Sequence, residues 1–473
     1  MASDTTKMNN DGELNKYLSN PEDSNKDEGQ YSDIDTNENE GLLPENERSC
    51  NADQGNLLRD WEGFVSMVKG NIGTGILALP YAMKHAGLVF GPSLLLIMAI
   101  TSTHCMHILV LSSQIISKHI KTPCADYGKT AELSIDKVFP KKSQYFRKLV
   151  NCAIWLLQYS FSTTYILFIA ENLKQLIGHF DVRIWILLLV PPLIIFSYIR
   201  SLDILAYFSF FANICLVIGL IIIYQYIFQG IHHIEKLPLI ASPNVIPLSI
   251  GAIIFAFEGI CMVLPLENRM KKPQNFGKIL WAAQIFTTTC YMLMAVGGYL
   301  RYGSHSKGSI TLNLPRTPLY LSVRGLYATS IFFSYLLQFY VPTNLLITYW
   351  KRTILAEASE IKIASIDLAY RTLMVIVTAA MAIAVPKLGL VISLLGAFLG
   401  SMLCIIFPAI IKIGTDYSYR SSISYWILAK DIIIGIFGCL CCIAGTGLSV
   451  YQLVLAFGNH TNHQHGFANV TQN

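Results

Sequence analysis

The chain has 473 residues, of which 53% are apolar and 14% charged, and its mean hydropathy is +0.46. A soluble protein carries about 25% charged residues, so the composition excludes a soluble globular domain and predicts an all-α integral membrane protein. The formal net charge of +5 is unevenly divided, with residues 1–60 at net −10 and the remainder at net +15.

Residues 1–60 have no apolar periodicity and are rich in Asn, Asp, Glu and Ser, the composition of a solvated, disordered cytoplasmic tail. No basic stretch followed by an apolar run opens the sequence, so no signal peptide is expected. Within this tail Glu38, Leu42 and Leu43 have the form of an acidic dileucine, which resembles endosomal and lysosomal sorting signals read by cytosolic adaptors.

Crossing roughly 30 Å of hydrocarbon takes about 20 apolar residues. Eleven segments are read as spans, near 64–85, 90–113, 148–170, 184–199, 206–228, 245–264, 278–299, 321–346, 367–386, 388–411 and 430–457. They make 61–457 a transmembrane domain and leave 458–473 as a terminal tail. With the N-terminus cytoplasmic, the inner loops hold 16 Lys and Arg and the outer loops 7, the bias expected of that orientation. The two N-x-S/T sequons, at Asn459 and Asn469, then fall outside the cell or in a lumen, where glycosylation occurs.

The first span contains Gly70-Asn71-Ile72-Gly73-Thr74-Gly75. Three glycines in six residues break a helix and free backbone N–H and C=O groups, tolerated at membrane depth only where protein or a cavity satisfies them. Half-helix ends of this kind bind anionic groups such as carboxylates in secondary transporters. A close helix–helix seam is the competing reading. The sixth span repeats the pattern at Phe255-Ala256-Phe257-Glu258-Gly259, with a carboxylate near mid-membrane. Broken segments one and six would head two sets of five spans, an inverted repeat with the site between them, and the eleventh span is an addition.

These residues carry a family resemblance. Lys69–Pro80, Ala86–Pro92, His104–Val110, Phe255–Gly259 with Val263–Asn268, Gly308–Pro315, Leu337–Pro342 and Leu390–Leu394 occur in the order seen in the proton-coupled amino acid transporters, and the chain resembles that branch of the amino acid/auxin permease family from about residue 60 to 410. The resemblance implies a fold of the amino acid–polyamine–cation type. It further implies a secondary transporter of small neutral amino acids in the plasma membrane or the lysosome and endosome, working by proton symport or by pH-independent facilitated uptake. An amino acid sensor of the same fold, signalling through the acidic tail, is the alternative. Two departures stand out: the family histidine three residues before the first-motif lysine is here Ser66, and the loops 171–183 and 300–320 lack the cysteines that many members pair.

Glu258 is the expected proton-coupling residue, because an ionisable group at membrane depth is costly enough to signal function; a structural cap on the broken helix is the alternative. The expected substrate-binding set is Gly70, Asn71, Ile72, Gly73, Thr74, Gly75, Phe255, Phe257, Gln338 and Tyr340, the last two as part of a pocket wall on span eight. Lys69 beside the first break is either a charge partner or a snorkelling cation. His104 and His107 share a helix face but have no carboxylate at ligand spacing, so polar packing is expected, and neither a metal, a cofactor nor an enzymatic centre.

Overall fold

The computed structural model describes residues 57–470 apart from 122–125, 231–236, 354–358, 386 and 421–423, with only the backbone described at 202–203, 352–353 and 456–470. The dileucine at Glu38, Leu42 and Leu43 lies outside the described residues, and Asn459 and Asn469 fall where side chains are not described. The described chain is helical, with no strand beyond a single bridge between Leu58 and Met270.

Fifteen α-helices follow in order: α1 Asp60–Asn71, α2 Gly75–Ala86, α3 Phe90–Ile120, α4 Tyr127–Asp136, α5 Pro140–Ile177, α6 Val182–Ser197, α7 Leu202–Phe228 and α8 Ile246–Ala256. Then come α9 Ile260–Asn268, α10 Phe276–Tyr302, α11 Pro318–Thr353, α12 Glu360–Ala384, α13 Leu388–Leu395, α14 Phe407–Tyr419 and α15 Tyr425–Val470. Among the described residues nine helical stretches are long and apolar enough to cross a membrane, and Val182–Ser197 is a shorter apolar one. Each expected segment falls on helical chain: the first on the pair α1 and α2, each of 12 residues, the sixth on α8 and α9, and the tenth on α13 and α14 with the turns between them.

The first and sixth spans are both interrupted, at Ile72–Thr74 and at Phe257–Gly259. Their ends meet at opposite poles of the bundle. Leu58, ahead of α1, donates to the carbonyl of Arg269 and accepts from Lys271, both at 2.9 Å, so the start of span one lies beside the end of span six. At the other pole Ala241 donates to Ala86 at 3.0 Å, which joins the end of span one to the approach to span six. The two broken spans therefore run antiparallel. Gly87 makes that second junction: its φ is +98° and a Cβ there would lie 2.6 Å from the Leu239 carbonyl oxygen, so only glycine fits.

Small residues set the close approaches that a hydrocarbon solvent, which supplies no hydrophobic drive between helices, makes necessary. A Cβ on Gly75 would lie 2.6 Å from the Ala256 Cα, and one on Gly251 would collide with the Ser393 carbonyl oxygen. Hence α2, α8 and α13 interlock at backbone distance. Beyond α13 the tenth span widens into π-helical turns at Gly396–Gly400 and Met402–Ile406. The buried Tyr127 hydroxyl at the head of α4 donates to the Leu403 carbonyl at 2.8 Å within the second of them. Lys412, one of the 16 inner-loop Lys and Arg counted from the sequence, is instead buried in α14 and pairs with Asp416 at 2.5 Å.

Candidate functional site

The two interruptions open onto one cavity. It is lined by Gly70, Asn71, Gly73, Thr74 and Gly75 from span one, by Phe255, Ala256, Glu258, Gly259, Cys261 and Met262 from span six, by Gln158, Phe161 and Tyr165 from α5, and by Gln338 from α11. The space it offers is about 100 Å³, below the roughly 300–1,000 Å³ of sites for drug-sized ligands. It suits a solute of few heavy atoms.

Both downstream half-helices begin at this cavity without a side-chain cap: neither Thr74, which precedes α2, nor Gly259, which precedes α9, makes a capping hydrogen bond. The first N–H groups of a helix have no partner within the helix and carry its partial positive charge, so two such ends converge here. Asn71 adds a third polar element. It is 4% exposed, it lines the cavity, and among the described residues neither its amide oxygen nor its amide nitrogen has a hydrogen-bond partner. A buried, unpartnered amide costs about 1–3 kcal/mol, which a bound polar solute would recover.

The glycines divide by what surrounds them. A Cβ on Gly73 would meet nothing within 4 Å, so this residue keeps the cavity open. A Cβ on Gly259 would collide with the Asn71 amide oxygen, so glycine there gives that amide its place. A Cβ on Gly70 would press on the Met262 thioether.

Glu258 lies in the second break, half-buried and cavity-lining, and its carboxylate is 3.6 Å from the Cys261 thiol. Among the described residues no cation forms an ion pair with it. The aromatic wall is Phe161 against Phe255, ring centroids 4.8 Å apart, with Tyr165 beside them. Across the cavity the Gln338 amide donates to the Gln158 side-chain oxygen and ties α11 to α5.

Of the expected binding residues, Gly70, Asn71, Gly73, Thr74, Gly75, Phe255 and Gln338 line the cavity, and Ile72, Phe257 and Tyr340 do not. Phe257 points the other way, onto the Tyr291 ring at 5.0 Å, and Tyr340 sits under the Arg371 guanidinium at 5.8 Å. Lys69 is exposed and His104 and His107 do not line the cavity, so among the described residues the first break has no cationic partner in the site. The expected site set lacked Ala256, Gly259, Cys261 and Met262 on span six, and it missed the α5 wall of Gln158, Phe161 and Tyr165 altogether. Their signal was the polar run Gln158-Tyr159-Ser160 and Ser162-Thr163-Thr164 inside an apolar span.

Comparison with known proteins agrees with this architecture. Residues 59–451 match the family described as "Transmembrane amino acid transporter protein". The chain is similar to the proton-coupled amino acid transporter-like protein pathetic of Drosophila melanogaster, with 30% identity over 85% of this chain and 87% of that protein. It is also similar to the probable amino acid transporter skat-1 of Caenorhabditis elegans, with 25% identity over 86% of this chain and 92% of that protein. Among solved structures the inward-facing conformation of Mhp1 superposes with a TM-score of 0.52 at 10% identity, covering 87% of this chain and 96% of that one, a likeness of fold alone. With the family spanning nearly all of the helical domain, and two antiparallel broken spans around a small polar cavity, the chain belongs to the transmembrane amino acid transporter family and is a transporter rather than an enzyme.

Proposed function

We propose that the cavity between the two breaks binds small neutral amino acids and carries them in symport with a proton held by Glu258. The observation that carries this reading is the meeting of two uncapped half-helix N-termini and the unpartnered Asn71 amide on one cavity of about 100 Å³. Free N–H groups at a helix start are suited to the α-carboxylate of an amino acid. The aromatic wall of Phe161, Tyr165 and Phe255 leaves room for a small apolar or amide side chain, and burying a charged one there without a partner is costly. The N-terminus is proposed to be cytoplasmic, and loss of glycosidase-sensitive mobility in Asn459→Gln and Asn469→Gln chains tests that orientation.

Uptake of radiolabelled amino acids into cells expressing the protein, with a competitor panel at two pH values, tests the substrate. Alanine, proline or glutamine should compete well and glutamate, lysine and arginine poorly. Competition by the charged amino acids as strong as that by alanine overturns the neutral selectivity, and uptake that ignores pH replaces symport with facilitated transport.

A further inference from the structure

A second cavity opens at the pole of the bundle where α2 ends, and its chemistry differs from that of the first. It has about 670 Å³ of space and is lined by Lys84, Lys174, Lys307 and Lys387 together with Glu171, His305 and backbone at the start of α13. Four ammonium groups and one carboxylate thus share a hollow several times larger than the inner cavity.

Not all of these charges are satisfied by one another. Lys174 pairs with Asp181 at 2.8 Å. Among the described residues Lys84 and Lys307 reach only backbone carbonyls, those of Ser306 at 3.5 Å and Leu312 at 3.4 Å. An ammonium has three donors, so each keeps donors for a solute. Glu171 accepts one long hydrogen bond, from the Leu388 backbone N–H at 3.4 Å, and makes no ion pair among the described residues. The hollow also stands over the inner site. Glu171 and Tyr165 lie six residues apart on α5, roughly 9 Å along the helix, and Tyr81, on the half-helix α2 that begins at the first break, is part of the lining.

We propose that this vestibule is a second amino acid site, in which Lys84 and Lys307 receive the α-carboxylate and Glu171 the α-ammonium before the solute moves to the inner cavity. A simple cation is disfavoured by the lysines, and a simple anion leaves Glu171 without a partner; a zwitterion satisfies both signs. The proposal rests on the reading of this chain as an amino acid carrier.

The test is alanine uptake by the full-length protein in proteoliposomes, comparing the parent with Lys84→Gln, Lys307→Gln and Glu171→Gln. Each variant should raise KM about fivefold, the worth of about one half-exposed charge pair, with the maximal rate unchanged. Rising salt should raise KM in the parent and raise it less in Lys307→Gln, because one of the charges that screening weakens is then gone. Propionate, a carboxylate without the ammonium, should inhibit alanine uptake far less than unlabelled glycine does. Parent KM in all three variants overturns the vestibule site while leaving transport through the inner cavity intact. Inhibition by propionate equal to that by glycine overturns the role of Glu171, and a parent that takes up no amino acid overturns both this site and the carrier reading.

Discussion

The Tyr291 hydroxyl lies 2.5 Å from the carbonyl oxygen of Asn71, and 2.8 Å from that of Ala256. These are the last residues of α1 and α8, where each broken span loses its helical hydrogen bonds, so one fully buried phenol on α10 ties both freed ends together. It has a single proton for two acceptors. Tyr291→Phe should therefore lower the melting temperature, at a cost of about 1–3 kcal/mol for the carbonyls left bare, and should slow transport by loosening the breaks. Unchanged melting and unchanged alanine uptake would show that this tie is incidental.

The glycines of the site are predicted to separate into cavity and packing positions. Gly73→Val puts bulk into open space, so it should fold as the parent does and abolish uptake. Gly259→Ala should also fold, because the atom it meets is the end of the Asn71 side chain, yet displacing that amide should raise KM. Gly75→Ala meets the Ala256 backbone instead and should reduce folded protein at the membrane. Surface expression measured beside uptake checks all three, and normal kinetics in Gly73→Val would remove the first break from the substrate site.

How much of this was legible in the sequence follows from what each signal measures. Long apolar runs are set by the bilayer and are local, so the segments coincide with helices to within a turn or so at most ends; α3, predicted to end near 113, runs on to Ile120. The breaks were legible because glycine clusters and a carboxylate are costly inside an apolar run and so stand out from it. Side-chain direction was not. Phe257 and Glu258 are neighbours in the chain, but the interruption turns one towards Tyr291 and the other towards the cavity, and no periodicity survives in a non-helical stretch to say which. The contribution of α5 was hidden for another reason: Gln158, Phe161 and Tyr165 share a helix face only when read at a spacing of three to four residues, and their partners lie about a hundred or more residues away. Glu171 escaped because it sits at the end of a span that extends to Ile177, past the expected limit near 170.

An ion cluster that joins α12 to the end of α6, with Asp367 and Arg371 buried and Arg200 exposed, makes a prediction about stability rather than transport. Asp367 holds Arg371 at 2.8 Å and Arg200 at 2.9 Å, and Arg371, 2% exposed, also donates to the Ser197 carbonyl. Removing one partner of a buried pair leaves the other charge uncompensated, at about 3–5 kcal/mol. Asp367→Asn should accordingly lower the melting temperature in detergent and the yield of folded protein, while the fraction that folds keeps the KM of the parent, since none of these groups lines the cavity. A raised KM with normal melting would move this cluster into the transport cycle.

Coupling is the last expectation, and it turns on Ser66 and Glu258. A serine hydroxyl does not titrate near neutral pH, so with Ser66 in the place of the family histidine a transported proton must ride elsewhere, and Glu258 is, among the described residues, the one carboxylate that lines the cavity. Its place in the second break puts it beside the groups that take the substrate, so loading a proton and loading a solute would alter the same few backbone donors. Proton symport requires uptake by the parent to rise on acidification, because the proton is then a co-substrate. Glu258→Gln fixes the neutral form in the same volume, and it should keep substrate exchange while losing both the pH response and accumulation against a gradient. Ser66 lies one helical turn before the cavity-lining Gly70, so Ser66→His should steepen the pH response of the parent and restore part of it to Glu258→Gln. Uptake of labelled alanine across a range of mildly acidic to neutral pH, together with acidification of the proteoliposome lumen read by a trapped dye, measures each step. Equal pH dependence in the parent and in Glu258→Gln would move the proton to another residue, with His104 and His107 on α3 the next to substitute. A parent with no pH response and no lumen acidification would leave the carboxylate as a cap on the broken helix.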